Sequence, residues 1–124
     1  MAKSIADAVF DAALQYIEDN TTLVTVCSSQ PTTYTEASAT YKLADIVVDA
    51  ADFTGPANGT SGRMTTLNQQ ADVTVDSSGT AQHIAGCNSA GTALLWVTTC
   101  TSQVLTAGNS VTIPATDIQL SDPT

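Results

Sequence analysis

The spacing of hydrophobic and polar positions changes once along the chain, near residue 20. Before that point Ile5, Val9, Phe10, Ala13, Leu14 and Ile17 recur at intervals of three and four, the period of a helix with one apolar stripe. Asp7, Asp11, Gln15 and Glu18 fall on the other side. The spacing predicts a helix over residues 4–19. Ser4 is placed to cap it, Asp7 puts a carboxylate in the first turn, and Asn20 closes it. Such a helix either packs on the domain's own sheet, the simpler arrangement, or docks on a neighbouring subunit.

From residue 22 onward the three-four spacing gives way to short runs rich in Val, Ile and Thr, bounded by Gly, Pro, Asn and Ser. This is the signature of strands and turns. Leu23–Cys27 reads as a first strand. Residues 28–39 read as a loop or one short helical turn opened by Pro31 and anchored by Tyr34, and 41–48 as a second strand. Three Gly, a Pro and an Asn mark 53–62 as an exposed loop. Residues 62–67 form a strand carrying Arg63, expected to pair with the strand at Val73. Residues 76–79 form a turn in which Gly79 can supply a positive φ. Residues 80–87 and 93–100 make a hairpin through 88–91. A turn at 107–109, a strand at Val111 ended by Pro114 and a short strand at 118–120 complete the chain. The expected fold is mainly β, a β-sandwich or barrel-like body over about 22–120, with one N-terminal amphipathic α-helix. All of 1–124 forms a single domain.

Composition narrows the function classes. Charged residues make up 12% of the 124, about half the usual share, and Ser and Thr fill the difference. Acidic residues outnumber basic ones 12 to 3, giving a net charge of −9. Phosphate contacts need clustered Lys and Arg, whereas Lys3, Lys42 and Arg63 are scattered, so neither nucleic acid nor an anionic membrane is an expected partner. No apolar run reaches the length of a membrane span, and the N-terminus lacks the pattern of a signal peptide, which points to synthesis in a cytoplasm.

Candidate chemistry is sparse. Cys27, Cys87 and Cys100 form no CxxC pair and have no zinc spacing, so buried reduced thiols are expected; a Cys87–Cys100 bridge across the hairpin is the sharper alternative. His83 is the one histidine, alternating with apolar neighbours on a strand. No nucleophile elbow accompanies it, and Cys27 or Cys87 would have to imitate a thiol nucleophile beside it. Asp45, Asp49 and Asp52, and Asp72 with Asp76, lack the alternation of a calcium loop and read as solvated or turn-stabilising carboxylates. Trp96 reads as a core residue. Arg63 either pairs a local Asp or bridges to another subunit. The expectation is therefore no catalytic residue, no cofactor and no metal. The exposed stretch Ala57, Asn58, Gly59, Thr60, Ser61, Gly62 and Arg63 is the candidate partner-contact loop, chosen for its exposure.

Three segments carry a likeness to a known group: 27–37 (CSSQPTTYTEA), 75–85 (VDSSGTAQHIA) and 97–109 (VTTCTSQVLTAGN), the last running into 111–114 (VTIP). With the N-terminal helix they cover most of the chain. The sequence resembles small virion structural proteins of tailed bacteriophages, of the kind encoded beside the major capsid protein. The resemblance implies a head decoration (cement) protein on the capsid exterior, made in the host bacterial cytoplasm. A tail, neck or host-recognition adaptor is the alternative. The partners it implies are the major capsid protein and further copies of the chain itself, with a trimer as one arrangement. Its motifs are structural and bring no active-site residues. A rival of another class, a small cell-wall hydrolase, would make His83 essential.

Overall fold

A computed structural model of the chain describes residues 5–60 and 62–121. Among the described residues, helix α1 (Asp7–Asn20) is followed by nine strands: β1 (Leu23–Cys27), β2 (Lys42–Val47), β3 (Phe53–Asn58), β4 (Arg63–Leu67), β5 (Gln70–Thr74), β6 (Gly79–Asn88), β7 (Ala93–Leu105), β8 (Ser110–Ile113) and β9 (Thr116–Leu120). They form three antiparallel sheets, ordered β2-β1-β6-β7, β3-β4-β9 and β5-β8. The bridge Ala44↔Val75 joins the two-stranded sheet to β2. The protein is thus mainly β with one N-terminal helix, as its strand-rich pattern predicts.

The central strands of the four-stranded sheet are buried on both faces, because side chains alternate sides along a strand. On one face Val24, Val26, Ile84 and Trp96 meet Val73 and Ile113 of the β5-β8 pair and Leu67 and Phe53 of the third sheet. On the other, Cys27, Ala85 and Cys87 pack under a π-helical turn, Glu36–Thr40, which contributes Ala37. Tyr34 lies against this second cluster, the anchoring role its position suggested.

The helix turns only one edge of its apolar stripe inward, with Ile17 packed against the main core. Phe10, Leu14 and Glu18 are buried, whereas Val9 is 59% exposed and Ala13 also faces outward. The inward edge continues through the carboxylate of Glu18 rather than back through Val9. Thr65 Oγ1 on β4 donates to Glu18 Oε2 at 3.0 Å, which gives the buried acid a partner. Ser4 lies outside the described residues, and the helix starts after Ala6, whose side chain makes no cap. α1 packs on β3 and β4, so it covers its own domain.

Three further expectations are corrected. Residues 53–58, expected as loop, form strand β3. Gly55 and the cis Gly55–Pro56 bond sit at a register irregularity on a sheet edge, where a strand tolerates proline. β4 pairs with β3 and β9, not with the strand at Val73. The backbone N–H of Asn68 donates to Asp52 O (2.8 Å), and its side chain accepts from Thr54 Oγ1 (2.8 Å). The chain is therefore pinned to β3 before it crosses to the other sheet. Gly79 has no positive φ; a side chain there would press on Leu43, with a Cβ 2.9 Å from its nearest methyl. Spatial crowding, not turn geometry, favours glycine at that position.

Candidate functional site

The stretch singled out for exposure, residues 57–63, is the tip of the β3–β4 hairpin. Ala57 and Asn58 end β3, and Arg63 begins β4. Ser61 lies outside the described residues. Ala57, Asn58 and Thr60 are exposed, while Gly59, Gly62 and Arg63 are half-buried.

This tip is tied down from three sides. Gly59 N–H donates to Gly62 O at 3.2 Å, closing the turn. Thr60 N–H donates to Gln119 Oε1 at 3.1 Å, fastening it to β9. Gly62 has φ +82°, and a Cβ there would collide with the carbonyl of Leu120. This is a position where only glycine fits both the backbone and the space.

Arg63 forms the third tie. Its Nε and Nη2 donate to Asp11 Oδ1 (2.8 Å) and Oδ2 (3.3 Å), Nη1 donates to Asn58 Oδ1 (2.8 Å), and Nη2 also reaches Pro56 O (3.4 Å). The planar fork of guanidinium thus joins the helix to both strands of the hairpin, which a lysine could not do. The hydrogen bond to Asp11 raises Arg63 further above its ordinary range. Of the two alternatives for Arg63, local pairing is the one realised. The sequence held the cue in part: Asp7 and Asp11 occupy one helix face, and the chain has a single arginine.

Lys42 is also committed internally, at 2.9 Å from Asp45 and 3.4 Å from Asp76. The Asp45 hydrogen bond is the main reason that its ammonium is raised above the ordinary value. Both described cations are therefore spent on ion pairs. Asp49 and Asp52 cap a short 3₁₀ turn, Ala50–Asp52, through a reciprocal capping box, the turn-stabilising role expected of that cluster.

The sulfur and imidazole groups do not assemble into reactive pairs. All three cysteines are free thiols. Cys87 stands opposite Leu94 in the hairpin, and Thr99 stands opposite His83, so Cys100 is too far along β7 to bridge to Cys87. Burial pushes the Cys87 thiol up to about 11 and raises Cys27 and Cys100 as well. Cys27 is the cross-strand neighbour of His83, but its sulfur lies 3.6 Å from Ala37 O and 3.4 Å from Thr25 Oγ1. His83 Nδ1 is buried without a partner. Among the described residues no group of three or more His, Cys, Asp or Glu is placed to hold a metal ion. Trp96 is buried and donates from Nε1 to Thr21 Oγ1 at 3.3 Å, so it is a core residue rather than a binding platform.

A second feature escaped the sequence. A cleft of about 480 Å³ opens between β7 and the β8–β9 corner, floored by Val26, Ile84 and Ile113 and rimmed by Thr101, Gln103 and Asp117. It exists because β8 stops at Ile113 before Pro114 and β9 pairs with β4, leaving β7 and β9 unpaired with each other. None of the described helices is long and apolar enough to cross a membrane. No protein-family model matches the chain, and no curated protein or solved structure is significantly similar to it.

Proposed function

We propose that this protein is a non-enzymatic virion component, a decoration protein that binds the outside of a bacteriophage capsid and stabilises its subunit junctions. The observation that supports this best is the hairpin tip, whose described residues are exposed at Ala57, Asn58 and Thr60 and are held by hydrogen bonds within the chain. Thr60 is fastened to β9, Gly59 is bonded across the turn to Gly62, and Arg63 is fastened to α1. A contact loop ordered in advance loses little conformational entropy on binding, so even a modest area yields affinity. Ala57, Asn58 and Thr60 supply small apolar and hydrogen-bonding groups without a charge. Such a surface fits a matching protein face better than a charged ligand.

Repetition magnifies a weak contact. A shell presents the same junction many times, and an interface near the ordinary ~1,600 Å² suffices for each copy to stay bound. A net charge of −9 keeps free copies apart in solution until they meet the shell. The partner is the major capsid protein, and the protein resides on the capsid exterior. Thr60→Arg alters the tip without removing any of its fastening side chains. Purified wild-type chain should sediment with undecorated capsids, and T60R should bind several-fold less. Equal binding by both would remove the tip from the interface. Failure of the wild type to bind shells, together with a copy number of a few per virion, would move the protein to the tail or neck.

A further inference from the structure

Helix α1 is apolar on two opposite sides. Phe10 and Leu14 are buried and Ile17 packs against the main core, on the side that meets β3 and β4. With about 3.6 residues per turn, Ala8, Val9, Ala12, Ala13 and Tyr16 fall together on the outer side. All five are exposed, Val9 by 59% and Tyr16 by 58%. Of the five large hydrophobic side chains exposed among the described residues, three are Ile5, Val9 and Tyr16, on this helix or just before it. The other two, Val47 and Val104, stand singly on β2 and β7. A surface helix ordinarily turns charged and polar residues outward. An apolar strip in their place marks a contact surface.

The strip has an acidic border. Asp7 and Asp19 are exposed on the helix itself, and the 3₁₀ turn that packs against the helix carries Asp49 and Asp52. Arg63 is the one cation bonded to α1 among the described residues, and it is already held between Asp11 and the hairpin. A second copy would bring the same carboxylates and no spare cation among its described residues. An anionic membrane would add more negative charge. The complementary surface is therefore basic. Shape narrows it further. The strip is only about 12 Å long, far short of the ~800 Å² a side that a stable flat interface buries. A groove gains more, because its walls reach the flanking carboxylates while its floor covers the apolar side chains.

We infer that the outer side of α1 docks in an apolar groove edged with Lys and Arg on the partner protein. Val9 and Tyr16 are the anchors, one turn or more apart, and Tyr16 brings a broad ring with a hydroxyl for the groove edge. Ala8, Ala12 and Ala13 keep the strip low between them, so the groove walls can approach the helix closely. Asp19 meets the basic edge. This docking rests on the capsid reading, names the chemistry of the surface the chain meets there, and adds a second contact to the hairpin tip. The Arg63–Asp11 ion pair holds the two contacts in one rigid unit.

Undecorated capsids are the probe, and binding is read by co-sedimentation over a range of protein concentrations. The double variant V9A/Y16A should bind about tenfold less tightly than wild type. V47A trims an exposed valine on β2 instead and should bind as wild type does. Circular dichroism checks that each variant is folded. Wild-type binding should weaken as NaCl rises from about 50 to about 500 mM. D19N keeps an acceptor for Gln15, so it should lower the affinity and the salt dependence without disturbing the helix. V9A/Y16A binding as tightly as wild type would overturn the inference and leave the capsid reading standing, and so would wild-type binding that does not respond to salt. Self-association of wild type in sedimentation equilibrium, lost in V9A/Y16A, would give the strip to a second copy and overturn the inference. Shells left bare by wild type would overturn the capsid reading itself, and the docking would fall with it.

Discussion

Gly86→Ala is the substitution that most sharply tests the packing of the four-stranded sheet. Gly86 lies opposite Trp96 in the β6–β7 register, and a Cβ at position 86 would fall inside contact distance of the indole. The ring cannot yield cheaply: Trp96 is 9% exposed in the main core, and its Nε1 donates to Thr21 Oγ1, itself 1% exposed. Overpacking a core by a methyl costs about 1–3 kcal/mol. Turning the indole away from Thr21 leaves a buried donor without its acceptor, which costs a further ~1–3 kcal/mol. Together the loss is about 2–6 kcal/mol, against a total stability of roughly 6–19 kcal/mol for a chain of this length. At ~4 °C per kcal/mol, Tm should fall by at least ~8 °C. Trp96 is the chain's one tryptophan, so its fluorescence reports the displacement directly. Emission should shift as the ring leaves its site. In a Trp96→Phe background the same Gly86→Ala change should cost at least ~1 kcal/mol less, because the smaller ring leaves room for the methyl. A Tm within ~2 °C of wild type, with unchanged emission, would refute this packing argument.

Other substitutions probe the helix, the buried acid and the thiols. Leu14→Ala, at a fully buried position, should cost about 2–5 kcal/mol in urea denaturation, whereas Val9→Ala, at a position 59% exposed, should stay within ~0.5 kcal/mol; equal costs would mean the helix faces the sheet differently. Burial raises the Glu18 carboxyl above its ordinary value, with Thr65 opposing and Asp19 adding to the shift. The folded chain therefore holds that proton more tightly than the unfolded one, and stability is lost as pH rises from about 4.5 through the raised value. Glu18→Gln keeps an acceptor for Thr65 and removes the charge, so its urea midpoint should exceed wild type at pH 7 and converge with it near pH 4; a gap that widens on acidification would contradict this. With a disulfide-exchange reagent at pH 8, half-buried Cys100 should react first. Cys27 and Cys87, both buried and raised, should react only on unfolding, and rapid titration of all three in the native protein would oppose the burial described.

Strand existence was legible where local pattern and tertiary role agree. Leu23–Cys27, the hairpin through residues 88–91 and the stop at Pro114 follow from alternation and turn chemistry, and the structure places them there. Long-range pairing was not legible. Nothing local to Arg63–Leu67 says that its partners are β3 and β9 rather than the nearby strand at Val73; the hydrogen bonds of Asn68 to Asp52 and Thr54 decide it. Composition misled at 53–58, because Gly55 and Pro56 suit a bulged edge strand as well as a loop. The helix stripe misled at Val9 because a buried Glu18 with a threonine partner takes an inward position usually held by an apolar side chain. At the candidate site the sequence supplied the exposed tip and the lone arginine. It could not supply Asp11 and Gln119, which are 52 and 59 residues away from the groups they bind. The cleft beside β7 was equally invisible, since it arises from two strands that do not pair.

We propose that this acidic β-domain binds the outer face of a phage shell. Mixing purified chain with undecorated capsids and imaging them by cryo-electron microscopy shows whether it does. Regular density should lie over subunit junctions at icosahedral positions, with the β3–β4 tip turned towards the shell. Bare capsids at saturating protein, with the chain present in the native virion only at a tail or neck position, would contradict it.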